Sequence, residues 1–482
     1  MLLSWRFAPA RQREVGIASP LAVIAALAAL ASLVVLPAPV LRVEFQPQRP
    51  AANGLPWLSV RGSEIVNSQG QTVILRGFND DALLQTGHHP LPPPLKPSSA
   101  ALMEAEGFDV VRIPISWSLL EPTEGHFSQS YLAKIQAMVA LCASDHLYVV
   151  LDMHTVDFGV AFGGSGAPSW LRVPGVPDWH LPLLSRDWQR AVSPAVNAAL
   201  VAFWTDPGWQ RLYWDAWDFV AASFKDDSNV AGFDLYNEPH PLPLPPAIFG
   251  PRLLFPFYAR GIADIAKVDP NHLFILEGDL LGDLPTAVRP IHAPDVVYST
   301  HLYSGSIVGP TFTGNPSPLR AELEQGLEEA AQFPAPYWSG ELGINRTLPL
   351  AATWAEDEIA LSDRYLTGWA WWQWDDSADW GVTQNGGPPD LGWLDVLAQP
   401  FVREAPGRLD EMSYNQQHRR LAVKISGAAR GDLAVVSWPE SDGFAQVAGS
   451  CARPVGRQDP SSGKVEVELL RGSCSFNISA TG

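Results

Sequence analysis

Residues 230–239 read VAGFDLYNEP, an apolar run that ends in an amide, a carboxylate and a proline. The run has the length and composition of a strand buried on both faces. Pro239 cannot continue a ladder, so the strand stops where Asn237 and Glu238 emerge. Seven other runs have the same form: TVILRGFN (72–79), VVRIPIS (110–116), YVVLDMH (148–154), HLFILEGD (272–279), VVYSTHLYS (296–304), PYWSGELG (336–343) and GWAWWQWDD (368–376). Helical periodicity fills the intervals, as in YLAKIQAMVALCASDHL (131–147) and SPLRAELEQGLEEAAQ (317–332). Leu132, Ile135, Val139 and Cys142 share one helical face, which makes Cys142 a core thiol. Eight strand–helix units over about 320 residues predict an α/β fold, a (β/α)8 barrel, over residues 46–402. No glycine-rich fingerprint follows the first strand, which disfavours a dinucleotide fold.

Past Arg403 the period changes to two. RLAVKISG (420–427), DLAVVSWP (432–439) and KVEVELLRG (464–472) alternate apolar with polar and have no helical partner. Residues 403–482 are therefore expected to form a small antiparallel β-sandwich. Cys451 and Cys474 could pair within it, but sequence does not give the Cα separation a bridge needs. At the other end, Arg6, Arg11 and Arg13 precede an uncharged stretch from Val15 to Leu41. Roughly twenty apolar residues suffice to cross a bilayer, and basic residues stay on the cytoplasmic side. Residues 1–45 are expected to be a membrane anchor or a signal segment, with the body outside the cytoplasm, tethered or secreted.

The chain has a net charge of −19, which argues against nucleic acid as a partner. Its nineteen tryptophans suit sugar rings as well as a core. There is no HExxH, and GHHP (87–90) has no carboxylate at metal-ligand spacing. No metal or cofactor is expected, and the protein is taken as a monomer.

The site of such a barrel lies at the C-terminal strand ends. In order these carry Asn79, Arg112, His154, Asn237 with Glu238, Glu277, His301 with Tyr303, Glu341 and Trp372. A barrel built for stability alone has no reason to place polar groups along one rim. Glu238 and Glu341, on strands four and seven, face each other across the mouth. Two carboxyl groups about 5 Å apart perform retaining glycoside hydrolysis. Arg112 and Tyr303 would hold Glu341 ionised, Asn237 would reach a sugar 2-hydroxyl, and the two histidines offer further donors. Glu277 is read as a rim ion-pair partner.

Together VVRIPIS, LDMH, LYNEP, STHLY, WSGELG and GWAWW resemble glycoside hydrolase family 5, over about residues 55–400. Within that family the chain is most similar to endoglycoceramidases, through GAPSWL (166–171) and FWTDPGWQRLYWDAWDFVAASFKDDSNVAGFDLYNEP (203–239). The resemblance implies Glu238 as acid/base and Glu341 as nucleophile. It implies substrate-binding or supporting roles for Arg112, His154, Asn237, His301, Tyr303 and Trp372. Where those enzymes continue the histidine with Gln-Asp, this chain has Thr155 and Val156, and Asp157 is the candidate replacement. The substrate expected is a glycolipid or oligosaccharide, met at a membrane surface. The apolar AIFGPRLLFPF (247–257) beyond Glu238 would either receive ceramide or cover the barrel. Two alternatives stand beside this reading: a β-glycosidase for β-glucan, mannan or sterol glucoside, and a non-catalytic carbohydrate-binding surface protein.

Overall fold

The computed structural model describes residues 39–87, 89–179, 193–241, 243–279, 285–376 and 378–481. Eight parallel strands run β1 Arg76–Asn79, β2 Val110–Ile115, β3 Tyr148–Met153, β4 Val230–Asp234, β5 Leu273–Glu277, β6 Val296–Ser299 resumed at His301–Leu302, β7 Trp338–Leu342 and β8 Gly368–Trp371. Each pairs with the next, and β8 returns to β1. The ring closes on β6, whose first half pairs with β5 and whose second half pairs with β7. Its break at Thr300 falls between the two partners. This is the (β/α)8 barrel that the alternating pattern predicts.

The run at 72–79 is not one strand. Thr72–Val73 leaves the barrel and pairs antiparallel with Phe401–Ala405. Leu58–Arg61, Glu64–Asn67 and Thr72–Val73 are three neighbouring strands of a seven-stranded antiparallel sheet. The chain's last part supplies the other four, Phe401–Ala405, Leu433–Ser437, Lys464–Leu469 and Ala452–Pro454. A four-stranded sheet of Arg408–Asn415, Arg420–Ser426, Ser473–Ala480 and Ala445–Ala448 faces it. Val402, Val436 and Val467 from one sheet share a core with Leu421, Ile425 and Phe476 from the other. Arg76 of β1 bonds Asp363 at 2.8 Å, and the other Asp363 oxygen accepts the Tyr414 N–H at 2.9 Å, so barrel and sheets share a buried ion pair.

The outer helices form where the sequence caps them. Ser128 accepts the Tyr131 N–H ahead of Gln129–Ser144, and Asp206 accepts the Gly208 N–H ahead of Pro207–Phe224. The first of these helices buries Leu132, Ile135, Val139 and Cys142, the face read from its spacing. Strand packing is close enough that a Cβ at Gly77 would stand 1.7 Å from the Val110 carbonyl oxygen. Among the described residues twelve of the nineteen tryptophans, including Trp117, Trp217 and Trp354, are buried, so most of the aromatic excess is core. Most of the expected anchor or signal segment lies outside the described residues. Among the described residues no helix is long and apolar enough to cross a membrane.

Cys451 and Cys474 form a disulfide with Cα atoms 5.5 Å apart. Cys451 leads into Ala452–Pro454 of one sheet and Cys474 lies in Ser473–Ala480 of the other, so the bond staples the two. Replacing both by serine should lower stability by about 2–4 kcal/mol. The check is the denaturant midpoint, which reduction of the parent protein should shift by the same amount.

Candidate active site

The site begins with how β4 is held. Just beyond the strand, the Leu235 carbonyl accepts hydrogen bonds from the Tyr213 hydroxyl at 2.8 Å and the Trp217 indole at 3.1 Å. Both come from the helix Pro207–Phe224, so outer-layer aromatics fix the backbone three residues before Glu238. Glu238 has φ +47°, a conformation that favours glycine. Its N–H donates to Glu277 Oε2 at 2.7 Å, which secures the turn.

Arg112 lies beneath the mouth, fully buried. It is the third residue of β2 rather than its end, so it points into the barrel interior. Its guanidinium meets Glu341 Oε1 at 2.7 Å, Asp234 Oδ2 at 3.0 Å, Glu277 Oε1 at 3.1 Å and Asp152 Oδ2 at 3.2 Å. Asn79 and Asn237 Oδ1 each accept from it at 3.0 Å. With its donors engaged in this way, Arg112 orients the groups that face the mouth instead of meeting a ligand. Burial opposes its charge, but the surrounding carboxylates outweigh burial and hold it firmly protonated. Burial and the Glu277 charge push Asp234 well above the usual carboxylate range, against the pull of Arg112.

Above this floor stand the three groups nearest the opening. Glu238, His301 and Glu341 each bring one atom within 4.8 Å of the others. His301 Nδ1 lies 2.9 Å from Glu238 Oε1 and 3.4 Å from Glu341 Oε2, and its Nε2 lies 3.1 Å from Glu277 Oε1. The Tyr303 hydroxyl donates to Glu341 Oε2 at 2.9 Å. A metal ion would accept this spacing, but both Glu341 oxygens already take hydrogen bonds, and the guanidinium beside them would repel a second cation. Burial would lower the His301 pKa, yet Glu277 and Glu341 raise it well above the usual histidine value. Burial would raise Glu277, but His301, Arg112 and the Glu238 N–H hold it at about 2. Burial and Glu238 push Glu341 upward, against His301 and Arg112.

To one side, His154 and Trp372 stack with ring centroids 5.6 Å apart. His154 Nδ1 lies 2.7 Å from Asp152 Oδ2, and Asp152 outweighs burial to raise its pKa. Asn237, also fully buried, donates to the Thr155 carbonyl at 3.0 Å. Asp157 is half-buried in the following loop at φ +53°.

Sequence reading passes over Asp80 and Asp81, although they follow a strand end as the other site residues do. Burial pushes Asp80 up to about 8 and Asp81 up to about 7, with His154 pulling Asp81 down. It also passes over Asp152 and Asp234, hidden inside apolar runs, and it underrates Glu277. The AIFGPRLLFPF segment is core: Phe249, Leu254, Phe255 and Phe257 are fully buried, and Phe249 packs on Trp204 at 4.8 Å. Of its two expected roles, covering the barrel is the one observed.

A profile for cellulases, glycosyl hydrolase family 5, matches residues 66–378. The chain belongs to that family. Endoglycoceramidase I of Rhodococcus hoagii (strain 103S) is 27% identical over 199 residues, 39% of this chain and 38% of that one. The endoglycoceramidase of Hydra vulgaris is 26% identical over 206 residues, 37% of this chain and 40% of that one. These matches span about two fifths of the curated relatives' length. Solved structures align more fully. Endo-glycoceramidase II from Rhodococcus sp. with a five-membered iminocyclitol has a TM-score of 0.76 at 27% identity, over 86% of this chain and 99% of that one. Its ganglioside GM3 complex has a TM-score of 0.77 at 25% identity, over 88% and 100%.

Two predictions follow from the buried charges. Arg112→Met leaves several carboxylates facing one another and should destabilise the protein by about 3–5 kcal/mol, read by denaturant unfolding. Glu277 titrates in the folded state at about 2, below its ordinary 4.5, so its contribution is complete above about pH 4.5 and is lost as pH falls toward 2. A pH series of unfolding midpoints should show that acid loss, and Glu277→Gln should flatten it.

Proposed function

We infer that this family 5 chain is a retaining β-glycosidase that cuts between a glycan and ceramide in glycosphingolipids. The observation that carries the mechanism is the Glu238–Glu341 pair, with an oxygen of each within 4.8 Å. That spacing suits double displacement and leaves no room for the water an inverting enzyme places between its carboxyls. Glu341 attacks the anomeric carbon while Glu238 gives its proton to the glycosidic oxygen. The leaving alcohol departs, Glu238 takes a proton from water, and that water releases the sugar from Glu341. When Glu238 is protonated as the general acid, its repulsion on Glu341 disappears, and Arg112 at 2.7 Å and Tyr303 at 2.9 Å favour the ionised nucleophile. The His154–Trp372 stack supplies a wall for the sugar, and Asn237 keeps an N–H for its 2-hydroxyl.

The lipid half of the reading is supported by the named relatives, endoglycoceramidases among them, and by the ganglioside complex of one. Exposed Val156, Ile307 and Leu350 follow β3, β6 and β7. Apolar side chains on loops beyond the strand ends suit an enzyme that works against a membrane surface. The N-terminal apolar segment, as an anchor or export signal, would bring it there.

The test is incubation with a panel of glycosphingolipids, reading free ceramide and intact glycan. Glu341→Gln should abolish release, at least 10³-fold, because it removes the nucleophile. Glu238→Ala should lose glycolipid turnover but recover partly with azide on an activated aryl glycoside. Proton NMR should find the β anomer first; an α product rejects the mechanism.

A further inference from the structure

A cavity of about 70 Å3 shares Glu238 and His301 with the carboxylate cluster and lies on the side of β5 and β6. His154, Asn237 and Trp372, which follow β3, β4 and β8, do not line it. With the sugar against the His154–Trp372 stack, this cavity is on the far side of Glu238, where the leaving group must pass. Its wall is made of acceptors, namely Asp279, Glu322, Gln325 and Glu329, with Thr286 and Thr300. Most of these are already in use. Glu329 accepts the Thr286 N–H at 2.8 Å and the Tyr298 hydroxyl at 2.6 Å, and Glu322 accepts the Ser304 N–H at 3.1 Å.

Asp279 is the exception. It is 8% exposed, and among the described residues neither of its carboxylate oxygens has a hydrogen-bond partner. A buried acceptor left unpaired forfeits its hydration without replacement, so its retention calls for a donor. Among the described residues His301 is the only basic side chain lining the cavity.

We propose that this cavity recognises an N–H-bearing group on the carbon next to the one that carries the glycosidic oxygen, with Asp279 as its acceptor. A sphingoid leaving group has its nitrogen there, three bonds from the oxygen that Glu238 protonates, roughly 3–4 Å away. A sterol or simple alkyl leaving group has none. Burial, reinforced by the Glu329 charge, pushes Asp279 up to about 7, so a donor that restores its charge is favoured further. The inference rests on the glycolipid reading and names the part of the lipid that the site reads.

The test uses small soluble substrates, so it does not depend on lipid turnover. The sugar is whichever of glucose, galactose and lactose the enzyme releases fastest from its 4-nitrophenyl β-glycoside. Three β-glycosides of that sugar are then compared: 2-acetamidoethyl, 2-aminoethyl and propyl. The readout is the kcat/KM ratio of each nitrogen-bearing substrate to the propyl one within each protein, so a general loss of activity cancels. In the parent enzyme at least one ratio should exceed that of Asp279→Ala by about tenfold, the worth of one hydrogen bond to a charged partner. Asp279→Asn, which keeps the shape, should fall as well and guards against misfolding. A larger gain for aminoethyl than acetamidoethyl identifies the free amine as the group read, and the reverse identifies the amide. Equal ratios in parent and both variants overturn the proposal. If the ratios behave as expected while no glycosphingolipid releases ceramide, the glycolipid reading fails and the donor pocket stands.

Discussion

A single guanidinium organises the mouth of this barrel. Arg112 lies below the mouth and touches carboxylates from β3, β4, β5 and β7. Side chains on separate strands would otherwise repel one another in a medium that screens charge poorly. One planar cation with fixed donor directions converts that repulsion into a shared orientation. Desolvating so many charges is expensive, and well-packed apolar groups would serve stability as well or better. What the arrangement gains is placement: the Glu341 oxygen that Arg112 holds cannot swing away, and Glu277 is fixed so that it can receive the Glu238 N–H.

The second source of precision lies outside the barrel. Hydroxyl and indole donors on the outer helices reach carbonyls at the strand ends: Tyr213 and Trp217 to Leu235, Tyr258 to Glu277 and Trp354 to Ser304. Each aromatic ring fills the helix–sheet space while its polar tip satisfies a carbonyl where the ladder has ended. The backbone that carries Glu238, Glu277 and Tyr303 is thereby tied to the second layer. This is a structural use for part of the aromatic content that composition alone would assign to sugar binding.

Much of the fold and part of the site were legible in the sequence, for a physical reason. A strand buried on both faces is an unbroken apolar run, so polar residues at its end are conspicuous. His154, Asn237, Glu238, His301, Tyr303, Glu341 and Trp372 were visible in this way. Asp152 and Asp234 were not, because each sits within an apolar run and its partner, Arg112, is distant in sequence. Glu277 looked like a rim residue because only the folded ring brings Arg112 and His301 to it. The stretch 247–257 was ambiguous for the opposite reason. Phe249 and Phe257 are apolar whether they line a groove or fill a core, and only the position of Trp204 and its neighbours decides. The split of 72–79 at Ile74 and Leu75 was also hidden, since apolar residues continue through the point where the chain changes sheet.

That change of sheet bears on how the chain must be made. Asn67 hydrogen-bonds Glu404 at 3.3 Å across 337 residues of sequence. Three strands laid down before the barrel therefore remain without their sheet neighbour until the whole barrel has been synthesised. During that interval Thr72–Val73 presents an open edge, and open edges invite pairing with other chains. Contacts of such long range also close late and slowly. The last eighty or so residues are thus no appendage that can be trimmed to leave a self-contained barrel. Removing them would strip the partner from strands that come before it, and a shortened chain is an aggregation hazard at its beginning rather than at its cut end.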